Sequence, residues 1–176
     1  MTHLEKFKQI DTFIFDVDGV LTDGRFLITE AGELLRSMNA KDGLAMKLAL
    51  NAGYKIFIVT GGRSVGVIDR LKALGVQKIY AGVHDKLAKY KELLELFDLD
   101  EENILYMGDD LPDYPVMRRV GMPCCPSDAV QEVKSVSFYI SPKKGGDACV
   151  RDVIEKVMKL NGKWPSLGTP DPFNVD

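Results

Sequence analysis

The chain has 176 residues, a formal net charge of −3 and 45% hydrophobic residues, which suits one globular unit with a sizeable core. Its lysines and arginines are spread along the chain, which argues against a nucleic-acid surface. No apolar run approaches membrane-spanning length, the first six residues carry no signal-peptide segment, and three cysteines are an odd count for a disulfide framework, so a cytoplasmic protein is expected.

Residues 1–10 are expected as a short lead-in helix or loop. The first strand runs from Asp11 to Phe15 and stops at Asp16, with Asp18 and Gly19 following. Carboxylates at the end of a buried strand are costly unless paired, hydrated or metal-bound. Taken alone, Asp16-x-Asp18 is equally an acidic turn. Residues 25–38 hold two short half-apolar runs around Gly32, which predicts a β-hairpin, either a flap over the Asp motif or a plain edge hairpin. Asp42 is the expected N-cap of a helix from Gly43 to Ala52, ended by Gly53.

Lys55–Val59 reads as a buried parallel strand delivering Thr60. Ser64 is expected to cap a helix to Leu74, and Lys78–Tyr80 to form a short strand. Asp85 caps a helix over Lys86–Phe97, with apolar residues at helical spacing. Ile104–Met107 is a strand delivering Asp109 and Asp110, and Asp113–Val120 a short helix. Met122–Cys125 is a strand, in which Cys124 and Cys125 read as packing. Ser127 or Asp128 starts a brief helix, Ser137–Ile140 is the last strand, and a helix runs from about Asp147 to Leu160. Strands alternating with helices predict an α/β fold, a doubly wound and mostly parallel sheet. Residues 1–160 are read as one domain and 161–176 as an irregular tail.

Four strand ends therefore carry polar chemistry: Asp16-Val17-Asp18, Thr60-Gly61-Gly62, Lys86, and Gly108-Asp109-Asp110-Leu111-Pro112-Asp113. In order and spacing they resemble the haloacid dehalogenase superfamily of phosphotransferases, over residues 12 to about 160. The resemblance implies a Rossmann-like core and an aspartate nucleophile at Asp16, which would form an aspartyl-phosphate. It implies Asp18 as general acid and base, where the superfamily's ATPases carry Thr.

Five carboxylates, Asp16, Asp18, Asp109, Asp110 and Asp113, would repel one another and an incoming phosphate, a conflict that a divalent cation resolves. An all-oxygen site that also holds phosphate suits Mg²⁺. The family pattern puts the metal on the Asp16 carboxylate, the Asp18 carbonyl and the Asp109 carboxylate, with Asp110 and Asp113 behind them or as alternate ligands. Thr60 would donate to phosphate oxygens, Gly61-Gly62 would allow close backbone approach, and Lys86 would supply positive charge and hold Asp16. Without that context Lys86 is an ordinary helix-start lysine. Arg63 and Arg151 are candidates for an anionic substrate, or solvated surface arginines. His84 reads as structural.

About 40 residues separate Asp18 from Thr60, and the hairpin and one helix use them up, so there is no room for a cap domain. An open site then needs closure from elsewhere. Asn39-Ala40-Lys41-Asp42-Gly43, Gly82-Val83-His84-Asp85-Lys86-Leu87, and Gly145-Gly146 before Val150-Arg151-Asp152 resemble the capless 3-deoxy-D-manno-octulosonate 8-phosphate phosphatases. That resemblance implies a homotetramer acting on a phosphorylated sugar acid in lipopolysaccharide synthesis. The family usually carries Thr-Gly-Arg after the second strand. Here the arginine, Arg63, stands one place later. Relatives acting on nine-carbon sialic-type acids often carry Glu in that loop, and its absence favours the eight-carbon acid. A phosphomutase, which would need a cap, and a non-catalytic binding subunit, which would have lost the motif residues, are the other readings.

Overall fold

The computed structural model describes residues 3–166. A lead-in helix α1 (His3–Gln9) precedes β1 (Thr12–Phe15). A short hairpin follows, β2 (Leu27–Ile28) and β3 (Leu34–Leu35), then α2 (Ala40–Asn51), β4 (Lys55–Val59), α3 (Val65–Ala73) and β5 (Lys78–Tyr80). The second half runs α4 (Lys86–Phe97), β6 (Ile104–Met107), α5 (Tyr114–Met117), β7 (Met122–Cys125), α6 (Gln131–Val136), β8 (Tyr139–Ile140) and α7 (Cys149–Leu160).

Six strands form one parallel sheet in the order β5-β4-β1-β6-β7-β8. The chain winds outward from β1 through β4 to β5, then returns to lay β6, β7 and β8 on the other side. Strand order therefore reverses between β1 and β6, where open α/β sheets bind their ligands. Strand side chains alternate between two cores. Phe13, Phe15, Ile56, Ile58, Leu105 and Met107 meet α2, α3 and α7 on one face. Ile14, Phe57, Val59, Ile104 and Tyr106 meet α4, α5 and α6 on the other. Burial on both faces explains why these strands read as continuous apolar runs.

No cap domain inserts among the described residues, since only the hairpin and α2 lie between the Asp motif and β4. The hairpin pairs Leu27 with Leu35 and Ile28 with Leu34, and all four side chains are exposed. No helix among the described residues is long and apolar enough to cross a membrane. In the region read as a tail, Trp164 packs against the core and the Arg151 guanidinium lies 5.2 Å from its ring centroid. The tail beyond Ser166 lies outside the described residues.

Several expected boundaries move. Helix α2 starts at Ala40, because Asn39 accepts the Lys41 N–H at 2.9 Å and caps it. Asp42, the expected cap, is instead buried in the first turn and caps a different helix. Ala148 opens α7 in a left-handed conformation with no side chain able to cap, and Asp42 Oδ1 accepts the Arg151 N–H at 2.7 Å. Asp128 ties down Gly145 N–H at 2.9 Å rather than starting a helix, so α6 begins at Gln131. The segment expected as one helix over Asp113–Val120 is a 3₁₀ turn at Leu111–Asp113 and a single α-turn, α5. The last strand keeps only Tyr139–Ile140, and α7 begins at Cys149.

Asp42 is 1% exposed and its Oδ2 has no hydrogen-bond partner. Burial pushes its carboxyl up to about 6 from an ordinary 3.8, against the Arg151 N–H that favours the ionised form. The folded chain thus binds this proton more tightly than the unfolded chain. The protonated carboxyl adds stability at low pH, and that stability is lost as pH rises from about 4 to about 6, some 2–3 kcal/mol in all. Urea titrations at several pH values should show wild type losing about 2 kcal/mol relative to Asp42→Asn across that window. A difference independent of pH would contradict this assignment.

Candidate active site

Strands β1, β4 and β6 end side by side, and each releases its chain into a polar turn. Asp16 follows β1, Thr60 follows β4, and Gly108-Asp109 follows β6. Lys86 arrives from the side as the first residue of α4, whose N-terminus Asp85 caps through the Ala88 N–H at 3.0 Å. Asp16, Asp18, Thr60, Gly61, Gly62, Lys86, Asp109, Asp110 and Asp113 line one cleft of about 480 Å³.

Asp16 is 6% exposed. Its Oδ1 accepts the Val17 N–H at 2.7 Å and its Oδ2 lies 2.8 Å from Lys86 Nζ. The turn after it is a wide one, closed by Thr22 N–H donating to Val17 O at 3.1 Å. Gly19 stands there at φ +88°, and a Cβ on it would come within 1.9 Å of Asp109 Oδ2. Glycine supplies both the left-handed backbone and the space for that carboxylate. The turn is held from behind by the loop before α7. Gly146 N–H donates to Val20 O at 3.0 Å, and a Cβ on Gly145 would meet Gly19 O at 1.9 Å.

Asp113 is fully buried and both its oxygens are engaged. Oδ1 takes Lys86 Nζ at 2.7 Å and the Tyr106 hydroxyl at 2.6 Å, while Oδ2 takes the Asp109 and Asp110 N–H groups at 3.1 and 3.4 Å. It acts as the keystone that fixes Lys86 and the acidic loop. Asp110 is exposed and its Oδ1 accepts the Leu111 N–H at 2.8 Å. Asp109 differs: its Oδ1 is buried with no partner.

The charge balance is unfavourable as it stands. Lys86 is the one ammonium among three clustered buried or half-buried acids. Burial pulls its pKa down, but Asp16 and Asp113 outweigh that and hold it charged. Burial and then the neighbouring Asp113 push Asp16 up to about 7, against Lys86. Burial, Asp16 and Asp113 push Asp109 up to about 8. Single oxygens of Asp16, Asp109 and Asp113 lie within 4.8 Å of one another. An unpartnered buried carboxylate oxygen in an all-oxygen cluster with excess negative charge fits a hard divalent cation.

In the same cleft, Thr60 is buried and accepts the Gly62 N–H at 3.2 Å through its hydroxyl, leaving the hydroxyl hydrogen to donate. Gly82 and Val83 N–H groups pin this loop through Gly62 O and Thr60 O. Asp18 lines the same cleft, with its Oδ2 beside Gly62 and near the Thr60 hydroxyl.

Two candidates stand apart. Arg63 is exposed and does not line the cleft; its side chain lies over Gly82, where a Cβ would meet Nε at 2.4 Å. Arg151 pairs with Glu155 at 3.0 Å and lines a separate cleft of about 420 Å³ along α7. His84, read as structural, is exposed at the rim of the acidic cleft. The sequence reading missed Arg36. It follows β3 and meets both oxygens of Asp18, Nε to Oδ1 at 2.7 Å and Nη2 to Oδ2 at 3.2 Å. Only its place beside the hairpin could have hinted at it.

A family model for haloacid dehalogenase-like hydrolases matches residues 76–153. The 3-deoxy-D-manno-octulosonate 8-phosphate phosphatase of Salmonella typhi is 36% identical over 92% of this chain and 87% of its own length. Among solved structures, the enzyme of that name from Yersinia pestis superposes with a TM-score of 0.88 at 34% identity, covering 91% of this chain and 86% of that one. The Moraxella catarrhalis enzyme, solved with a magnesium ion, a phosphate ion and the sugar acid, gives 0.86 at 33% identity over 89% of this chain and 90% of that one. The chain belongs to the 3-deoxy-D-manno-octulosonate 8-phosphate phosphatase family of haloacid dehalogenase-like hydrolases.

Proposed function

We propose that this protein hydrolyses 3-deoxy-D-manno-octulosonate 8-phosphate to the free sugar acid and phosphate, with Mg²⁺ as cofactor, in the supply of sugar acid for lipopolysaccharide. The observation that carries the reading is the Asp16–Lys86–Asp113 chain lining one cleft with Thr60, together with the family's own activity.

Asp16 is the nucleophile. One carboxylate oxygen attacks phosphorus as the bond from phosphorus to the sugar oxygen breaks, and an aspartyl-phosphate forms. Asp18 gives its proton to the leaving sugar oxygen, then takes one from the water that attacks the aspartyl-phosphate, which returns Asp16 and releases phosphate. Thr60 and the Gly61-Gly62 loop orient the phosphate oxygens. Lys86, held by Asp113, supplies fixed positive charge where the transferring group gains negative charge. Asp16, Asp109 and the Asp18 backbone carbonyl would hold Mg²⁺, with Asp110 and Asp113 supporting them from behind. When bound, the ion neutralises the acids and the phosphate oxygens.

Residues 1–160 form the working domain in this reading, and a tetramer covers a cleft that no cap closes. Arg63 and Arg151 lie outside the cleft of one copy, so a substrate role for either requires a neighbouring subunit or a loop movement. The discriminating experiment compares kcat/KM on the eight-carbon 8-phosphate, a nine-carbon sialic-type 9-phosphate and glucose 6-phosphate. Preference for the eight-carbon acid is expected. Preference for the nine-carbon acid would overturn the substrate, and silence on all three would overturn the activity.

Metal binding has its own readout. Mg²⁺ at about a hundred times its dissociation constant should add about 2–3 kcal/mol to the unfolding free energy. Asp109→Asn should abolish that increment, because it replaces the carboxylate that carries the unpartnered oxygen with a neutral amide. An equal increment in both proteins would place the ion elsewhere.

A further inference from the structure

The hairpin is a poor structure on its own. It has two residue pairs and its apolar side chains are exposed, and an isolated two-stranded ribbon is marginal in water. One side chain ties it to the site. The Arg36 side chain is only 8% exposed. Its guanidinium packs 4.6 Å from the Phe26 ring centroid, before β2, and its Nη1 donates to Leu34 O at 3.2 Å, within β3. Its other two nitrogens take both oxygens of Asp18. Among the described residues, the polar and stacking partners of the guanidinium are thus the hairpin's two arms and Asp18.

The two bonds to Asp18 are unequal. Nε–Oδ1 is short, at 2.7 Å, and Nη2–Oδ2 is longer, at 3.2 Å. Oδ2 lies over Gly62, where a Cβ would approach it to 3.1 Å, and that same position is 3.5 Å from the Thr60 hydroxyl oxygen. One Asp18 oxygen is therefore anchored and the other lies beside the loop that would hold phosphate. Arg36 itself does not line the acidic cleft; it lies behind Asp18, in a narrow crevice with Thr60, Gly62 and Ser64.

We infer that Arg36 is the positioning residue for Asp18. It fixes the direction of that carboxylate towards the leaving oxygen and makes this direction depend on the hairpin being seated. The inference rests on the proposed function for Asp18's proton-transfer role, but the tether itself does not. Lysine could keep the charge but not the planar two-nitrogen grip.

The test uses Arg36→Ala, Arg36→Lys and Asp18→Asn in the full chain with Mg²⁺. On the eight-carbon 8-phosphate, Arg36→Ala should lower kcat about thirtyfold. KM should stay within about threefold. Arg36→Lys should recover part of the loss. First-turnover release of p-nitrophenol from p-nitrophenyl phosphate should change less than about threefold, because that leaving group departs without a proton. Equal losses on both esters, or a raised KM with kcat kept, would overturn the inference. Hydrogen exchange gives the second arm and needs no turnover: Arg36→Ala and Asp18→Asn should each speed exchange of the amides of residues 27–35 about tenfold or more. Unchanged exchange in either variant would overturn the tether. If wild type turned over neither ester, the proposed function would fall while this arm still decided whether Arg36 seats the hairpin on Asp18. Should Arg36→Ala lose its native circular dichroism, Arg36→Met, which keeps the aliphatic stem and removes the guanidinium that grips Asp18, takes its place in both arms.

Discussion

Lys86→Met is expected to fail twice, in turnover and in stability. The Lys86 ammonium lies 2.8 Å from Asp16 and 2.7 Å from Asp113, and the residue is 5% exposed. Methionine fills similar space but leaves two buried carboxylates without their counter-ion. Removing one partner of a buried pair costs about 3–5 kcal/mol. Protonation of Asp16, whose carboxyl burial already pushes up to about 7, relieves part of that at low pH. The loss should therefore be larger at pH 8 than at pH 5 in urea titrations. Turnover should fall at least about a hundredfold, because the charge facing the transferring phosphoryl group is gone. Asp113→Asn should also lower both: its amide oxygen can still accept from Tyr106 and Lys86, but its amide nitrogen then faces the Asp109 and Asp110 N–H groups, donor against donor. Wild-type kcat in Lys86→Met would remove Lys86 from the site.

Asp16→Asn is expected to leave the fold and stop the reaction. Asparagine can still accept the Val17 N–H, now 2.7 Å from Oδ1. Its amide nitrogen would replace the oxygen beside Lys86 Nζ, donor against donor, and that contact is lost. It also removes one of three clustered negative charges, so thermal stability without metal should stay near wild type. An amide is too weak a nucleophile to form the covalent phosphoryl intermediate, and turnover should fall by at least about a thousandfold. Phosphate release at even a tenth of the wild-type rate by Asp16→Asn would exclude Asp16 as nucleophile, whatever the substrate.

The sheet and the positions around the cleft were legible because their determinants are local. The central parallel strands β1, β4 and β6 are buried on both faces and read as apolar runs, and each ends where the chain turns polar: Asp16, Thr60, Gly108-Asp109. Helix α4 matched from Lys86 to Phe97 because Asp85 caps it with its own side chain. The errors came where a distant partner decides. Asn39 and Asp42 are equally good capping residues, and what separates them is the N-terminus of α7, 109 positions away from Asp42, which takes the Asp42 carboxylate. Asp128 was read as a helix start for the same reason, its partner being Gly145.

The site shows the same division. The motif residues lining one cleft all sit at or just after element boundaries, where spacing is informative. Arg63 and Arg151 were chosen for charge type, which says nothing about direction, and they point elsewhere. Asp113 spends its two oxygens on four hydrogen bonds to protein groups, partners that lie at other points of the chain and that spacing does not reveal. Arg36 was invisible because its meaning lies wholly in Asp18, 18 residues earlier, and in a hairpin whose fold brings the two together.

The central claim is that a phosphoryl group passes through the Asp16 carboxylate. The most direct measurement mixes the Mg²⁺-loaded protein with 3-deoxy-D-manno-octulosonate 8-phosphate, quenches in acid within one turnover, and maps the peptides by mass spectrometry. A phosphoryl group on the peptide carrying Asp16, absent from Asp16→Asn and gone after a longer incubation, is the predicted result. Phosphate released at full rate with no phosphoryl group ever found on Asp16, or with one found on another residue, would contradict the account.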